Sequence, residues 1–93
     1  MNRKKLNIAR KKIDKVDKKI FHLIKKRTII VNQMLRLKQN KKQIVDKKRV
    51  NEILKRIKRK SLMNKIDPIL TSQIWKSMIW AYIKYQRKNF KGK

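Results

Sequence analysis

The sequence contains no cysteine, one glycine, one proline and one histidine, and only five of its 93 residues are acidic. The lack of cysteine excludes disulfides, thiolate nucleophiles and cysteine-based zinc sites. The sequence has only His22 and five scattered carboxylates as candidates for metal ligands or catalytic-triad residues. We therefore expect neither a metal nor a cofactor. No apolar run approaches about 18 residues, and no signal-peptide pattern follows the first residues. We therefore expect one intracellular, cytoplasmic domain spanning residues 1–93, without a membrane segment.

Positive charge is abundant: 31 Lys and Arg against 5 Asp and Glu give a net charge of +26. Lysines that neutralise phosphates favour nucleic-acid binding. The alternative is compositional drift, because Lys, Ile and Asn make up 44 of the 93 residues and share A/T-rich codons. The basic residues recur along the whole chain and form no single block, which favours drift. Nucleic acid is therefore not the expected main partner.

The scarcity of helix breakers predicts an all-α fold of three helices, one long, one short and one medium. The first runs from about Arg3 to Lys38, and a helix of roughly 35 residues would be about 50 Å long. A domain this small is only about 25 Å across, so the chain cannot cover such a helix alone. We therefore predict an intertwined homodimer.

The second and third helices begin at recognisable caps. Asp46 is the predicted N-cap of a helix over residues 47–62, after a loop over 39–45. Asp67 followed by Pro68 starts a helix that runs to about Asn89. The apolar residues expected to face inward are Ile53, Leu54 and Ile57 in the second helix, and Ile74, Trp75, Met78, Ile79, Ala81 and Tyr82 in the third.

Three cations interrupt the apolar stripe of the first helix. Steps of three and four connect Arg10, Ile13, Asp17, Ile20, Ile24, Arg27, Val31, Met34 and Lys38. Isolated buried cations are costly, and Asp17 satisfies only one, so the stripe predicts an anionic ligand. Arginine binds a carboxylate through two hydrogen bonds, which lysine cannot do. Since Arg10, Arg27 and Arg49 are arginines in a lysine-rich chain, they favour a dicarboxylate as the ligand. The alternative is that the long side chains reach solvent.

The third helix adds one polar group. Trp75, Ile79, Tyr82 and Gln86 share a face, so Gln86 either donates a hydrogen bond into the same cavity or is an ordinary surface glutamine. Trp75 and Trp80 are predicted to be core or dimer contacts rather than base-stacking platforms.

Taken together, these residues resemble the all-helical chorismate mutase family over nearly the whole chain. The family implies a domain-swapped helical dimer in which each active site is completed by the first helix of the other chain. The pieces that carry the resemblance, by joint order and spacing, are Arg10-x-x-Ile13-Asp14-x-Val16-Asp17, Arg27, Lys38, Asp46-x-x-Arg49, and Ile66-Asp67-Pro68 leading to Gln86.

The resemblance also implies residue roles. Arg10 from the partner, with Arg27, Lys38 and Arg49, would bind the two carboxylates of chorismate. Lys38 and Gln86 would donate hydrogen bonds to the ether oxygen, and Asp46 would support the substrate hydroxyl and the site lysine. The rearrangement needs a dianion held in a reactive shape and donors at the breaking bond, and no metal, cofactor or nucleophile.

Three features depart from many family members. Val50 stands where they have a glutamate for the substrate's ring hydroxyl, Tyr82 stands where some have serine, and the loop from Lys38 to Arg49 is about one residue shorter. Glu52 is the nearest carboxylate and is predicted to point outward. These features resemble the related isochorismate-pyruvate lyases, whereas Asp46 resembles the mutases. Chorismate mutase is thus the first hypothesis, the lyase the second and a polyanion or nucleic-acid binder the third.

Overall fold

The computed structural model describes residues 2–91 and shows an all-α chain, which confirms the predicted fold class. No strand occurs among these residues. Three α-helices follow in order: α1 over Arg3–Leu37, α2 over Lys47–Met63 and α3 over Pro68–Asn89. Each predicted boundary is within one residue of the observed one. The predicted loop over 39–45 contains a short 3₁₀ helix over Lys41–Gln43, where the Gln43 side chain accepts a hydrogen bond from the Asn40 amide at 3.3 Å.

The chain divides into a first unit, which ends at Gln33 within α1, and a second unit, which begins at Met34. In the first unit the predicted stripe is exposed from Arg10 to Ile20, so this part is not a core face of the single chain. Ile24 and Arg27 are half-buried, and Val31 is buried.

In the single chain, the buried row of α1 differs from the predicted stripe at Met34. Met34 is exposed and its neighbour Leu35 is buried, so the inward row passes through Val31, Leu35 and Lys38. The reason is geometric, because an α-helix with 3.6 residues per turn drifts away from a strict heptad pattern.

The second unit contains a small hydrophobic core. Leu35, Ile44 and Ile83 are buried together, and Val45, Ile79 and Phe90 pack partly buried against them. The core therefore joins the end of α1, the loop before α2 and the last turns of α3. This packing places Lys38 and the C-terminal half of α3 in the same part of the molecule.

Capping groups fix the starts of α2 and α3, and a hydrogen bond between two hydroxyls connects the helices. The Asp46 carboxylate accepts a hydrogen bond from the Arg49 amide at 3.0 Å, and the Asp67 carboxylate accepts one from the Ile69 amide at 2.9 Å. Both predicted caps are therefore confirmed. Between the helices, the buried Ser61 hydroxyl and the Thr71 hydroxyl lie 2.6 Å apart and share a hydrogen bond.

The turn between α2 and α3 uses a left-handed residue that is not glycine. Lys65 has φ 56°, and the Ile66 amide donates to the Ser61 carbonyl at 2.9 Å. The Lys65 amide donates to the Leu62 carbonyl at 3.4 Å, which completes a Schellman motif at the end of α2. A left-handed conformation is unfavourable for a residue with a Cβ atom.

The inward-facing residues of α3 differ in part from the prediction. Trp75, Met78, Ile79 and Tyr82 are half-buried as expected, whereas Ile74 and Ala81 are exposed. The correction has a simple cause. The buried side of α3 follows Trp75, Ile79, Ile83 and Gln86, and this register turns Ile74 and Ala81 outward. In α2, the three residues Ile53, Leu54 and Ile57 are half-buried as predicted.

Trp80 is 51% exposed and is therefore not a core residue of the single chain, whereas its other predicted role, a dimer contact, stays a prediction. Among the residues that the structure describes, no helix combines the length and the apolar character needed to cross a membrane.

Candidate functional site

The clearest polar arrangement in the second unit joins Lys38 to Gln86. Lys38 directly follows α1, and Gln86 lies near the end of α3 with only 8% of its surface exposed. The Lys38 Nζ donates a hydrogen bond to the Gln86 Oε1 at 2.7 Å. Two side chains that are 48 positions apart in sequence are thus brought together at the edge of the core. The alternative of Gln86 as an ordinary surface glutamine is wrong.

This hydrogen bond fixes the orientation of the Gln86 amide. Because the oxygen accepts from an ammonium group, the amide nitrogen with its two hydrogens faces away from Lys38. The side chain therefore presents a donor to a ligand placed beside it. A lysine ammonium carries further donors, so Lys38 and Gln86 each keep a donor group that is not used in their mutual hydrogen bond.

Burial lowers the pKa of the Lys38 amine below its ordinary value of 10.5. Desolvation by the surrounding protein is the main cause, because it disfavours the charged form of the amine. The negative charge of Asp46 acts in the opposite direction and favours the protonated amine. The role that the resemblance implies for Asp46 stays a prediction.

Asp46, Arg49 and Val50 lie at the start of α2, where the Asp46 cap fixes the first turn. The Arg49 guanidinium is 3.8 Å from the Glu52 carboxylate, and both side chains are about half exposed. An exposed ion pair of this kind contributes little stability, so Arg49 can exchange Glu52 for a ligand carboxylate at small cost. Glu52 points outward, as predicted.

Val50 lines an apolar groove of about 320 Å³ between α2 and α3, with Val45, Leu54, Ile79 and Ile83. No acidic side chain is among the described residues that line it. Val50 is half-buried, so the position offers a ligand methyl groups and no hydrogen-bond acceptor. Tyr82 is half-buried on α3, and its ring packs edge-on against Tyr85 with centroids 6.3 Å apart.

Arg10 and Arg27 belong to the first unit, whereas Lys38, Asp46, Arg49, Val50, Tyr82 and Gln86 belong to the second. Arg10 is exposed on α1, and Arg27 is half-buried on the same helix. The assignment of both arginines to the same ligand as Lys38 stays a prediction. Within residues 2–91, no three His, Cys, Asp or Glu side chains come close enough to hold a metal ion.

Sequence reasoning missed Ile83, the core residue beside the candidate site. A signal for it was present, because Ile83 lies four residues after Ile79 and three before Gln86. The predicted inward face was instead centred on residues that include Ile74 and Ala81, and it left Ile83 out. The role of Val45 in the groove had no sequence signal, since it lies in the predicted loop.

Comparison with protein families identifies the chain over most of its length. The model of chorismate mutase type II matches residues 9–87, and it covers every candidate site residue. The resemblance drawn from the motif residues is therefore confirmed at the level of the family. No curated protein and no solved structure gives a significant match.

Proposed function

We propose that this chain, which belongs to the chorismate mutase type II family, catalyses the rearrangement of chorismate to prephenate. The reaction breaks an ether carbon–oxygen bond and forms a carbon–carbon bond within one molecule, so atoms balance without a second substrate. As an intramolecular isomerase, the protein would act in aromatic amino acid biosynthesis, on the shikimate pathway, in the cytoplasm. Its partners would be one small dicarboxylate and a second copy of the chain.

The hydrogen bond between Lys38 and Gln86 is the observation that supports this proposal most strongly. Negative charge develops on the ether oxygen as its bond to carbon breaks, and preorganised donors stabilise that charge. In this proposal the Lys38 ammonium and the Gln86 amide nitrogen are such donors, and their mutual hydrogen bond supports it by holding the two side chains together.

The arginines supply the second requirement, which is to hold the substrate in a compact shape. Chorismate carries two carboxylates, and a guanidinium binds a carboxylate through two parallel hydrogen bonds. In this proposal Arg27, Lys38 and Arg49 bind from one chain and Arg10 binds from its partner. Fixing both carboxylates brings the reacting carbons close together. The entropy is then lost on binding and not in the chemical step, which lowers the activation barrier.

The exposed apolar side of α1 supports a dimer. Ile13 and Val16 are 60% and 54% exposed, and Ile20 and Leu23 are 51% and 61% exposed. A contiguous apolar stripe of this length on a soluble helix is typical of a contact surface. A second copy offers an identical stripe, and the two together would remove both from water. The same arrangement is needed for Arg10 to reach a site in trans.

Product analysis tests the proposal. Purified protein is incubated with chorismate and with isochorismate in separate reactions, and the products are separated by chromatography. We expect prephenate from chorismate. Lys38→Ala should lower kcat at least 100-fold, because losing a charge-assisted contact made in the transition state costs about 3 kcal/mol. KM should change much less.

The matched control is Lys42→Ala, an exposed lysine in the 3₁₀ helix near the site. It removes the same charge from the same segment without touching Gln86, so its kcat should stay within about twofold of the original. Arg27→Ala, which removes a carboxylate ligand, should also cost at least 100-fold in kcat/KM. Equal losses in Lys42→Ala and Lys38→Ala would contradict the assignment of Lys38 to the chemical step.

Isochorismate-pyruvate lyase is the second candidate, and the apolar surroundings of Val50 favour it. Isochorismate carries its hydroxyl at another ring position, so an acceptor at position 50 would have no role. In the lyase reaction the same ether bond breaks while a ring hydrogen is transferred to the leaving group, giving salicylate and pyruvate. Faster conversion of isochorismate than of chorismate would support this candidate over the first.

Replacing Val50 separates the two candidates further. Val50→Glu should raise the mutase rate if the missing acceptor for the ring hydroxyl limits it, and Val50→Gln is the matched control without the charge. An unchanged or lower mutase rate in Val50→Glu would contradict that explanation. If neither substrate is converted by the original protein, the third hypothesis, a binding protein without activity, would replace both.

A further inference from the structure

The seam between α2 and α3 carries lysines that the proposed reaction does not use. Two adjoining grooves, of about 320 and 440 Å³, lie along it, and Lys76 lines both. We refer to them together as the α2–α3 furrow, which extends from Lys47 to Lys58 on the α2 side. These residues are 11 positions apart, which corresponds to about 16 Å along the helix. Val50 of the candidate site lines its first groove, whereas neither Lys38 nor Gln86 lines the furrow.

The furrow is positively charged on both sides. Lys47 and Lys58 line it from α2, and Lys76 lines it from α3. No acidic residue is among the described side chains that line either groove. With a net charge of +26 on the chain, few carboxylates are available to neutralise these lysines. The electrostatic complement of the furrow is therefore an extended anion.

Trp80 gives the furrow an aromatic surface. Its ring lines the first groove and is 51% exposed. The Lys84 Nζ and the Arg87 guanidinium carbon each lie 5.8 Å from the centre of the ring, within the range of cation–π contacts. Lys76, Trp80, Lys84 and Arg87 follow one another at helical spacing and form one row on α3. An exposed indole thus lies among cations on a surface of elongated shape.

From this combination we propose that the α2–α3 furrow binds single-stranded nucleic acid without sequence preference. A charged groove that follows the phosphates, together with an aromatic ring on which a base stacks, is the general design of such sites. The unpaired base of a single strand is free to stack on Trp80, whereas a duplex keeps its bases stacked on one another. An acidic peptide matches the charge of the furrow, but it has no regularly spaced rings that could stack on the indole of Trp80.

Fluorescence anisotropy with a labelled oligo(dT) of about 12 nucleotides tests the proposal at several salt concentrations. The three furrow lysines and the two cations beside Trp80 would neutralise five phosphates. A plot of the logarithm of the binding constant against the logarithm of the salt concentration should then have a slope of about −3.5. Trp80→Ala should weaken binding at least about fivefold, because it removes the stacking surface. The double variant Lys84→Gln/Arg87→Gln should reduce the slope by about 1.4.

The matched control is Lys11→Gln/Lys12→Gln, which removes the same charge from exposed positions of the first unit. Its slope should equal that of the original protein. Equal loss in this control and in Lys84→Gln/Arg87→Gln would overturn the proposal, because binding would then follow net charge alone. So would equal affinity for a duplex of the same length, or full competition by polyglutamate, which would indicate an acidic protein partner.

Two checks keep these variants interpretable. Circular dichroism should show unchanged helix content in Trp80→Ala, as expected for an exposed side chain. The double variant Lys84→Gln/Arg87→Gln tests the cations beside Trp80 without altering the indole. Sedimentation of Trp80→Ala should show an unchanged oligomeric state. A shift toward smaller species, or no binding of oligo(dT) by the original protein, would overturn the proposal and leave the furrow as a contact between copies of the chain.

Discussion

The two units of the chain bury their apolar side chains to different extents. The second unit, from Met34 onward, buries Leu35, Ile44 and Ile83 against one another. The first unit leaves Ile13, Val16 and Ile20 more than half exposed along α1. Since both are rich in isoleucine, composition does not explain the contrast. The second unit contains the α2–α3 hairpin, whereas the first is part of a single helix, which in the proposed dimer would be covered by a second copy of the chain.

The largest expected effect tests whether a second chain covers the first unit. Ile20→Gln should raise the dimer dissociation constant more than 100-fold, because an isoleucine contributes about 1.5–3 kcal/mol when buried and a dimer contains two copies. Phe21→Gln is the control, since Phe21 is 73% exposed and lies beside the stripe. Sedimentation equilibrium measures both. An original protein that is an 11.4 kDa monomer at micromolar concentration would contradict the proposed dimer.

The second prediction concerns the core of the second unit. Ile83 is 7% exposed and packs against Leu35 and Ile44, so Ile83→Ala should lower the free energy of unfolding by about 2–4 kcal/mol. Ile74→Ala on the same helix is the matched control, because half of that side chain is already exposed. Urea unfolding monitored by circular dichroism compares them. Similar losses in both variants at a concentration where the chain is monomeric would argue against the described core.

The third prediction uses the burial of Lys38. Its lowered pKa means that kcat/KM should fall on the alkaline side with an apparent pKa below 10.5, because the site requires the protonated amine. Lys38→Arg should move this fall to higher pH, since a guanidinium keeps its charge. A pH profile of initial rates with chorismate measures both enzymes. An identical alkaline limb in the two would assign the titration to another group.

The same shift affects stability in a defined direction. Between the lowered pKa of the folded state and the ordinary value of 10.5, the unfolded chain binds more protons at Lys38 than the folded chain does. The contribution of Lys38 to the free energy of unfolding therefore rises with pH through this window. Chemical denaturation at several alkaline pH values, compared with Lys38→Met, isolates the effect.

The smallest expected effect concerns the turn of the hairpin. Lys65→Gly should raise the free energy of unfolding by up to about 1 kcal/mol, because glycine adopts the left-handed conformation without steric cost. Asn64→Gly is the control, since Asn64 has φ −104° and gains nothing from glycine. Thermal unfolding of both variants measures the difference. A destabilised Lys65→Gly protein would indicate that the lysine side chain itself supports the turn.

Local signals made the helices predictable from sequence. The Asp46 and Asp67 caps, with Pro68 in the first turn of α3, set boundaries that the structure reproduces within one residue. The short 3₁₀ helix was missed because it depends on the Gln43 side chain bonding back to the backbone. The inward face of α3 was only partly predicted, because a helix rich in apolar residues on several sides permits more than one register.

The candidate site was predictable in its membership and less so in its geometry. Gln86 ends an apolar stripe and Lys38 follows a long helix, so both were identifiable as polar groups near a core. Their contact at 2.7 Å depends on the packing of Leu35, Ile44 and Ile83, which brings together segments distant in sequence. The spacing of apolar residues along the sequence does not specify the distance between two side chains on different helices. The sequence also left open whether Trp80 is a core residue or a dimer contact, and its 51% exposure excludes only the first for the single chain.

The short connection between α2 and α3 has a consequence for the order of folding. Only residues 64–67 separate the two helices, and the Ser61–Thr71 hydrogen bond joins positions ten apart. Contacts this local form within microseconds to milliseconds and do not require an encounter between molecules. If α1 completes its burial only on a second chain, refolding should separate into a fast phase independent of protein concentration and a slower phase that accelerates with it. The hairpin would then be the preformed surface on which two long helices exchange.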